Sequence, residues 1–349
     1  MSLDQKMLLF DYAAMRNPDD KDDLRIDLPT ALKDDIGWPK RKELDVVAFT
    51  HLDNDHIAGS SEFFHLDHAV KYQGEGRVKI KELWVPAAAL TEVGAEDEAR
   101  VIREEAKYRL KRGEGIRVFS RPAHLEKWFK DNDLTLESRK HLITDAGQIV
   151  PGLSKEADGV EFFVHSPFGE RDGDVVLDRN DNSLVFQAAF KLGDTRFLMA
   201  ADTTWENWDR IVKITKRHNR QERLQWDIYK LPHHCSYLSL SPEKGETETV
   251  PTPEVQWLLD QGKSRPTVVS TSWPIADVDE DQPPHFQAKN RYKKTVAEKA
   301  GKFIVTMEHP TRVAPKRLII DITAAGASLT TVSAVGSASA VSMPAPRVG

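Results

Sequence analysis

Val46-Val47-Ala48-Phe49-Thr50-His51-Leu52-Asp53-Asn54-Asp55-His56-Ile57-Ala58-Gly59 is the stretch on which the fold turns. An apolar run of strand character ends, and His51, Asp53, Asp55 and His56 follow within a few residues. Two carboxylates so close repel one another unless a cation lies between them. A plain polar turn with Asp55 capping the next helix is the competing reading. Four ligand-type side chains directly behind such a strand favour a metal.

Two later runs repeat the grammar. Arg196-Phe197-Leu198-Met199-Ala200-Ala201-Asp202 is an apolar strand closed by a carboxylate. Ile228-Tyr229-Lys230-Leu231-Pro232-His233-His234-Cys235-Ser236 is another, closed by proline and paired histidines. Imidazole is the commonest metal ligand in proteins. A strand-end Asp alone is usually a helix cap, so the weight lies in the joint order: His-x-Asp-x-Asp-His, then Asp, then His-His.

That order resembles the metallo-β-lactamase fold, with its His-x-His-x-Asp-His and later His, Asp and His ligands. It is most similar to soluble relatives of the hydrolase domain of the competence protein ComEC. Those carry His-x-Asp-x-Asp-His, Asn-Ser-Leu-Val, Gly-Asp and His-His-Gly-Ser. The matching residues here are His51 to His56, Asn182-Ser183-Leu184-Val185, Ala201-Asp202 and His233-His234-Cys235-Ser236, and the likeness runs from Met7 to Ile322. Ala201 and Cys235 stand where the family has glycine, Asp53 where most of it has a second histidine. Asn180, Asp181 and Asn182 stand at the third-motif position, and the family's opening Gly-x-Gly-Asp strand has no counterpart before Leu8–Asp11.

The resemblance implies an αββα sandwich of two mixed β-sheets holding two divalent metals. Asp55, His56, Asp202 and one of His233 and His234, with His234 preferred, would hold one ion, and Asp202 would bridge. His51 and Asp53, helped by Asn180, Asp181 or Asn182, would hold the other. The carboxylate at position 53 hardens that site, so Mn²⁺ rivals Zn²⁺. The implied activity is hydrolysis of a phosphodiester, in DNA or a small nucleotide, by a metal-activated water. Asp55 and His233 join the catalytic set, and His285 is the expected proton donor. Asn182, Ser236 and Ser270, with Ser272, are expected at the substrate. His165 is expected to be structural. Alternatives are a carboxylic-ester, lactone or phosphocholine-type hydrolase, since fold does not give substrate, and a degenerate metal-binding or partner protein without catalysis.

The rest of the 349-residue chain bounds these readings. With 40% hydrophobic and 30% charged residues it can bury a core. A net charge of −6 argues against a surface that binds nucleic acid throughout. Lys213, Lys216, Arg217, Arg220 and Arg223 nonetheless form a local basic run that is a candidate phosphate track. A single cysteine, Cys235, excludes an internal disulfide framework and a cysteine-based zinc ribbon. No apolar run approaches the length of a membrane span and no secretory signal is visible, so a cytoplasmic location is expected.

Strands are expected at Met7–Asp11, Leu44–Thr50, Val160–His165, Ser183–Lys191, Thr195–Ala201, Trp226–Leu231, Thr267–Ser272, Lys302–Met307 and Arg317–Ile322. Helices are expected at Glu96–Lys111, Pro122–Phe129, Thr204–Lys216, Pro253–Gln261 and Phe286–Ala300. Residues 91–140 read as a helical insertion, a lid or partner surface on a domain of residues 1–322. Residues 323–349, rich in Ala, Ser and Val, read as a flexible tail with a short strand near Ser328–Val332.

Overall fold

The computed structural model describes residues 1–3, 6–92, 94–168 and 182–330. The N-terminal part forms a sheet of β1 (Leu8–Phe10), β2 (Glu43–Ala48), β3 (Phe64–His65), β4 (Val78–Pro86), β5 (Ile116–Phe119) and β6 (Ile143–Thr144). Its order is β1-β2-β4-β5-β6, with β3 paired to the start of β4. Every pair in it is parallel. Parallel neighbours need crossovers, and helices supply them. These are α1 (Leu28–Ile36), α2 (Asn54–Ile57), α3 (Ser60–Phe63), α4 (Ala88–Thr91), α5 (Asp97–Arg112), α6 (Ala123–Asp131) and α7 (Leu136–Arg139).

The second sheet contains β7 (Val160–Ser166), β8 (Val185–Phe190), β9 (Arg196–Met199), β10 (Trp226–Lys230), β11 (Gly262–Ser270) and β12 (Lys302–Val305). Its order is β12-β11-β10-β9-β8-β7. The hairpin expected around Leu192-Gly193-Asp194 is present, so β7, β8 and β9 run antiparallel, while β9 to β12 run parallel. Helices α8 (Trp205–Arg217), α9 (Pro253–Asp260) and α10 (Phe286–Glu298) cover it. A ribbon of β13 (Ile320–Thr323) and β14 (Gly326–Leu329) follows.

Alternation along the strands sorts side chains into three cores. Val47, Phe49, Leu83, Val85, Ile116 and Val118 pack with Ile102, Ala106, Leu110 and Phe129 of α5 and α6. Leu198, Tyr229 and Val268 pack with Trp208, Leu258 and Tyr292 of α8, α9 and α10. Between the sheets lie Val46, Ala48, Trp84, Phe119, Phe162 and Phe186. The layers therefore run helices, sheet, sheet, helices. Trp84 is the hub of the middle core, meeting Phe10, Phe119, Phe162 and Phe186 at centroid distances of 6.2, 5.6, 5.7 and 5.8 Å.

Several expectations need correction. Only the second sheet is mixed; the first is parallel throughout. Residues 91–140 are not an inserted lid, because they contribute α5, β5 and α6 to the first sheet and its helix layer. Ile116-Arg117-Val118-Phe119 is wholly buried, but four residues between glycine and serine are too short to announce a strand by period. The expected domain edge at 322 falls inside the β13–β14 ribbon, and the proposed tail beyond residue 330 lies outside the described residues. β1 is an edge strand, and in place of a further strand it meets the first residues of the chain, where Ser2 bridges Met7. No helix among the described residues is long and apolar enough to cross a membrane.

Candidate metal centre

Parallel strands point their carboxyl ends the same way, and β1, β2, β9, β10 and β11 bring theirs to one rim. Asp11, Thr50-His51, Asp202, His233-His234 and Thr271 stand there within a few residues of the strand ends. Residues from both sheets thus meet although they lie far apart in sequence. Asp55, His56, Asp202 and His234 each offer a ligand atom, all within 4.8 Å of one another.

The hydrogen bonds fix the tautomers. The Nδ1–H of His56 donates to Asp11 Oδ2 at 2.8 Å. His234 Nδ1–H donates to the Thr271 carbonyl at 2.7 Å. The Thr50 hydroxyl donates to Asp11 Oδ2 at 2.8 Å, which leaves its oxygen to accept from His51 Nδ1 at 3.1 Å. All three rings are therefore held by Nδ1, and all three Nε2 atoms face carboxylates. His56 Nε2 lies 3.2 Å from Asp202 Oδ1. His51 Nε2 and His234 Nε2 lie 3.9 and 3.8 Å from Asp202 Oδ2. His234 Nε2 is also 2.9 Å from Asp55 Oδ2, and His51 Nε2 is 3.5 Å from Asp53 Oδ2.

Lone pair facing lone pair at such distances is unfavourable unless a proton or a metal lies between. Three of the buried atoms involved, His51 Nε2, His56 Nε2 and Asp202 Oδ1, have no hydrogen-bond partner. Without a metal the electrostatics answer with protons. Burial pushes the His56 imidazolium down, but Asp11 and Asp202 outweigh it and raise its pKa to about 10. Burial, followed by the charge on His56, lowers His51 to about 4. The hydrogen bond from His234 holds the Asp55 carboxyl at about 2. Burial works against the Asp202 carboxylate, yet His56 keeps it well below the usual range. The donor set suits a divalent cation: imidazoles held from behind by carboxylate, carbonyl and hydroxyl, with carboxylates opposite.

The other expected residues separate. Leu184 N–H bonds the Thr50 carbonyl at 2.9 Å and so carries half-buried Asn182 to the rim. Asn180 and Asp181 lie outside the described residues. His233 sits beside the cluster, its Nδ1 buried without a partner, and is not among the four converging ligands. His285 lies behind the histidine turn: its N–H bonds the Cys235 carbonyl at 3.1 Å and its Nδ1 accepts from Tyr237 N–H at 3.4 Å.

Ser236 and Ser270, expected at the substrate, are buried. Ser236 Oγ accepts from Leu238 N–H, and Ser270 Oγ bonds Ser272 Oγ at 2.7 Å. His165 is structural, its Nε2–H donating to the Arg223 carbonyl at 2.8 Å. The basic run is partly engaged within the fold. Arg223 pairs with Glu161, Arg220 donates to the Gly147 carbonyl, Lys213 pairs with Asp209, and Lys216 lies over Trp257.

Two supporting residues escape sequence reading. Asp11 and Thr50 set the orientation of His56 and His51, and Asp11 shares the signal used elsewhere, a carboxylate ending an apolar strand. Ala201 and Cys235, read as replacements of glycine, adopt φ of 46° and 71°. His233 and His234 join them at 45° and 51°, so the β10 turn is a left-handed run without glycine. Such strain gathers where a site must be held in an unusual shape. No family model matches the chain, and no curated protein matches it either.

Proposed function

We propose that the chain is a dinuclear metal-dependent hydrolase of the metallo-β-lactamase fold, similar to the ComEC-like branch, acting on phosphodiesters. One observation carries the reading: three imidazole Nε2 atoms, each fixed through Nδ1, converge from both sheets on the Asp202 carboxylate. In this reading Asp55, His56, Asp202 and His234 would hold one ion, and His51 and Asp53 the second, with Asp202 serving both. The oxygen-rich second set admits Mn²⁺ as well as Zn²⁺. Divalent ions in such a pair supply a nucleophile at neutral pH and neutralise a phosphodiester's charge.

The chain's own residues do the positioning. Asp11, Thr50 and the Thr271 carbonyl aim the three rings. Asn182, at the rim, is a substrate contact of this reading. His285, whose Nδ1 accepts from Tyr237 N–H so that Nε2 carries the hydrogen, is kept as the expected proton donor of this reading, and His233 as another substrate contact. The test measures metal content together with bis(p-nitrophenyl) phosphate hydrolysis, on wild type and Asp55→Ala, with Mn²⁺ and Zn²⁺ supplied separately. About two ions per chain and activity lost in the variant are expected. Absence of bound metal would overturn the whole reading. Metal-dependent cleavage of p-nitrophenyl acetate but not of the diester would overturn the substrate class.

A further inference from the structure

A cavity of about 1040 Å³ lies behind the metal centre, on the side away from the converging Nε2 atoms. None of the proposed ligands lines it, whereas Asp11, Thr50, Ala201 and Thr271, which support or adjoin those ligands, do. Its walls are the inner faces of β9, β10 and β11, the β1 strand and residues 1–3. The β13 strand covers the cavity without filling it, and its Ile320 and Ile322 remain half-exposed and line the hollow. A volume of this order is that of a small-molecule site.

Strand direction gives the cavity two unlike ends. The end at the strand carboxyl termini carries Lys230, Arg16 and Arg25 beside Asp11. Asp11 is already committed to His56 and Thr50, and Arg25 is paired with Asp23, so Lys230 and Arg16 are the cations that set the positive sign of that end. The opposite end, around the β8–β9 turn, is walled by Phe190, Leu192, Phe197 and Ile322, and its two carboxylates, Asp158 and Asp321, are taken up by Lys6 and Thr330. Between them Met199 and Ile228 continue the apolar wall. From the level of Lys230 to that of Arg196 is about 10 Å of strand.

We infer that this cavity binds a single-chain amphiphile, with its anionic head at Lys230 and Arg16 and its hydrocarbon tail running toward Phe197 and Ile322. The site is separate from the proposed metal chemistry and does not depend on it.

The probe is decanoate, titrated by calorimetry into the full chain with and without EDTA. Each buried methylene is worth roughly fourfold in affinity, so hexanoate, four methylenes shorter, should bind about 250-fold more weakly. Decyltrimethylammonium, with the opposite head, should bind at least tenfold more weakly than decanoate. Lys230→Met should weaken decanoate about tenfold. Ile322→Glu, on the exposed ribbon where folding is least at risk, should weaken it at least as much. Equal affinity for decanoate and hexanoate, equal affinity for the cationic amphiphile, or binding unchanged in a folded Ile322→Glu variant would each overturn the inference. Binding that survives EDTA supports it even where phosphodiester hydrolysis fails.

Discussion

Asp11 has no place among the proposed ligands, yet it receives both His56 Nδ1–H and the Thr50 hydroxyl. Removing a carboxylate that orients a ligating imidazole typically costs ten- to a hundredfold in metal affinity. Asp11→Asn is therefore expected to weaken metal binding by that factor with the fold intact, as measured by competition with a chromogenic chelator. The two adjacent histidines should separate in the same assay. His234→Ala should lose metal, because its Nε2 faces Asp55 and Asp202. His233→Ala should keep the wild-type stoichiometry; equal loss in both would refute the assignment. The split was not legible from the sequence, where the residues are neighbours of one kind. It arises from consecutive left-handed φ values that swing the two rings apart, to centroids 6.4 Å from each other.

Among the elements, β7 carries a pH-sensitive residue. Burial lowers His165 from 6.5 to about 4, so the fold holds it neutral while the unfolded chain protonates it below about 6.5. The stability it contributes is present above pH 6.5 and is lost as pH falls from there toward 4. His165→Gln is expected to flatten the melting-temperature profile across that window. Helix α5 offers the opposite case. Burial works against the Glu105 carboxylate, but His68 and Arg109 hold it at about 2, with Arg109 Nε at 2.6 Å. Glu105→Ala strands a buried guanidinium and should cost about 3–5 kcal/mol in denaturant unfolding. A lid helix would lose far less. The strands that end in ligand-type residues were legible because apolar residues run up to those side chains, with Lys230 the one interruption close to the end of β10. β4 was not, because Lys79, Lys81 and Glu82 interrupt its apolar residues and Pro86 closes it. Helix α1 was not, because Pro29 and two aspartates mask a short apolar face.

At the scale of the molecule, the metal centre and the middle core fasten the same two sheets at different places. Trp84→Ala removes the hub of the inter-sheet aromatic cluster and should cost about 3–5 kcal/mol. Saturating metal should raise the melting temperature of wild type, since an ion bound only by the native state stabilises it by mass action. The layered α/β class was legible from apolar runs alternating with helical stretches. The uniform parallel direction of the first sheet was not, because pairing direction is set by crossovers such as α5 and α6 rather than by strand composition.

The proposed ligands run from His51 to His234, and the latter is held by the Thr271 carbonyl just after β11. During synthesis the first sheet is complete long before β10 and β11 leave the ribosome, and domains fold roughly in that order. On the proposed reading His51, Asp53, Asp55 and His56 would therefore wait with an incomplete ligand set, His56 oriented by Asp11 but without Asp202. Metal capture would then be the last event of biogenesis, a seal on the two finished sheets rather than a nucleus for them.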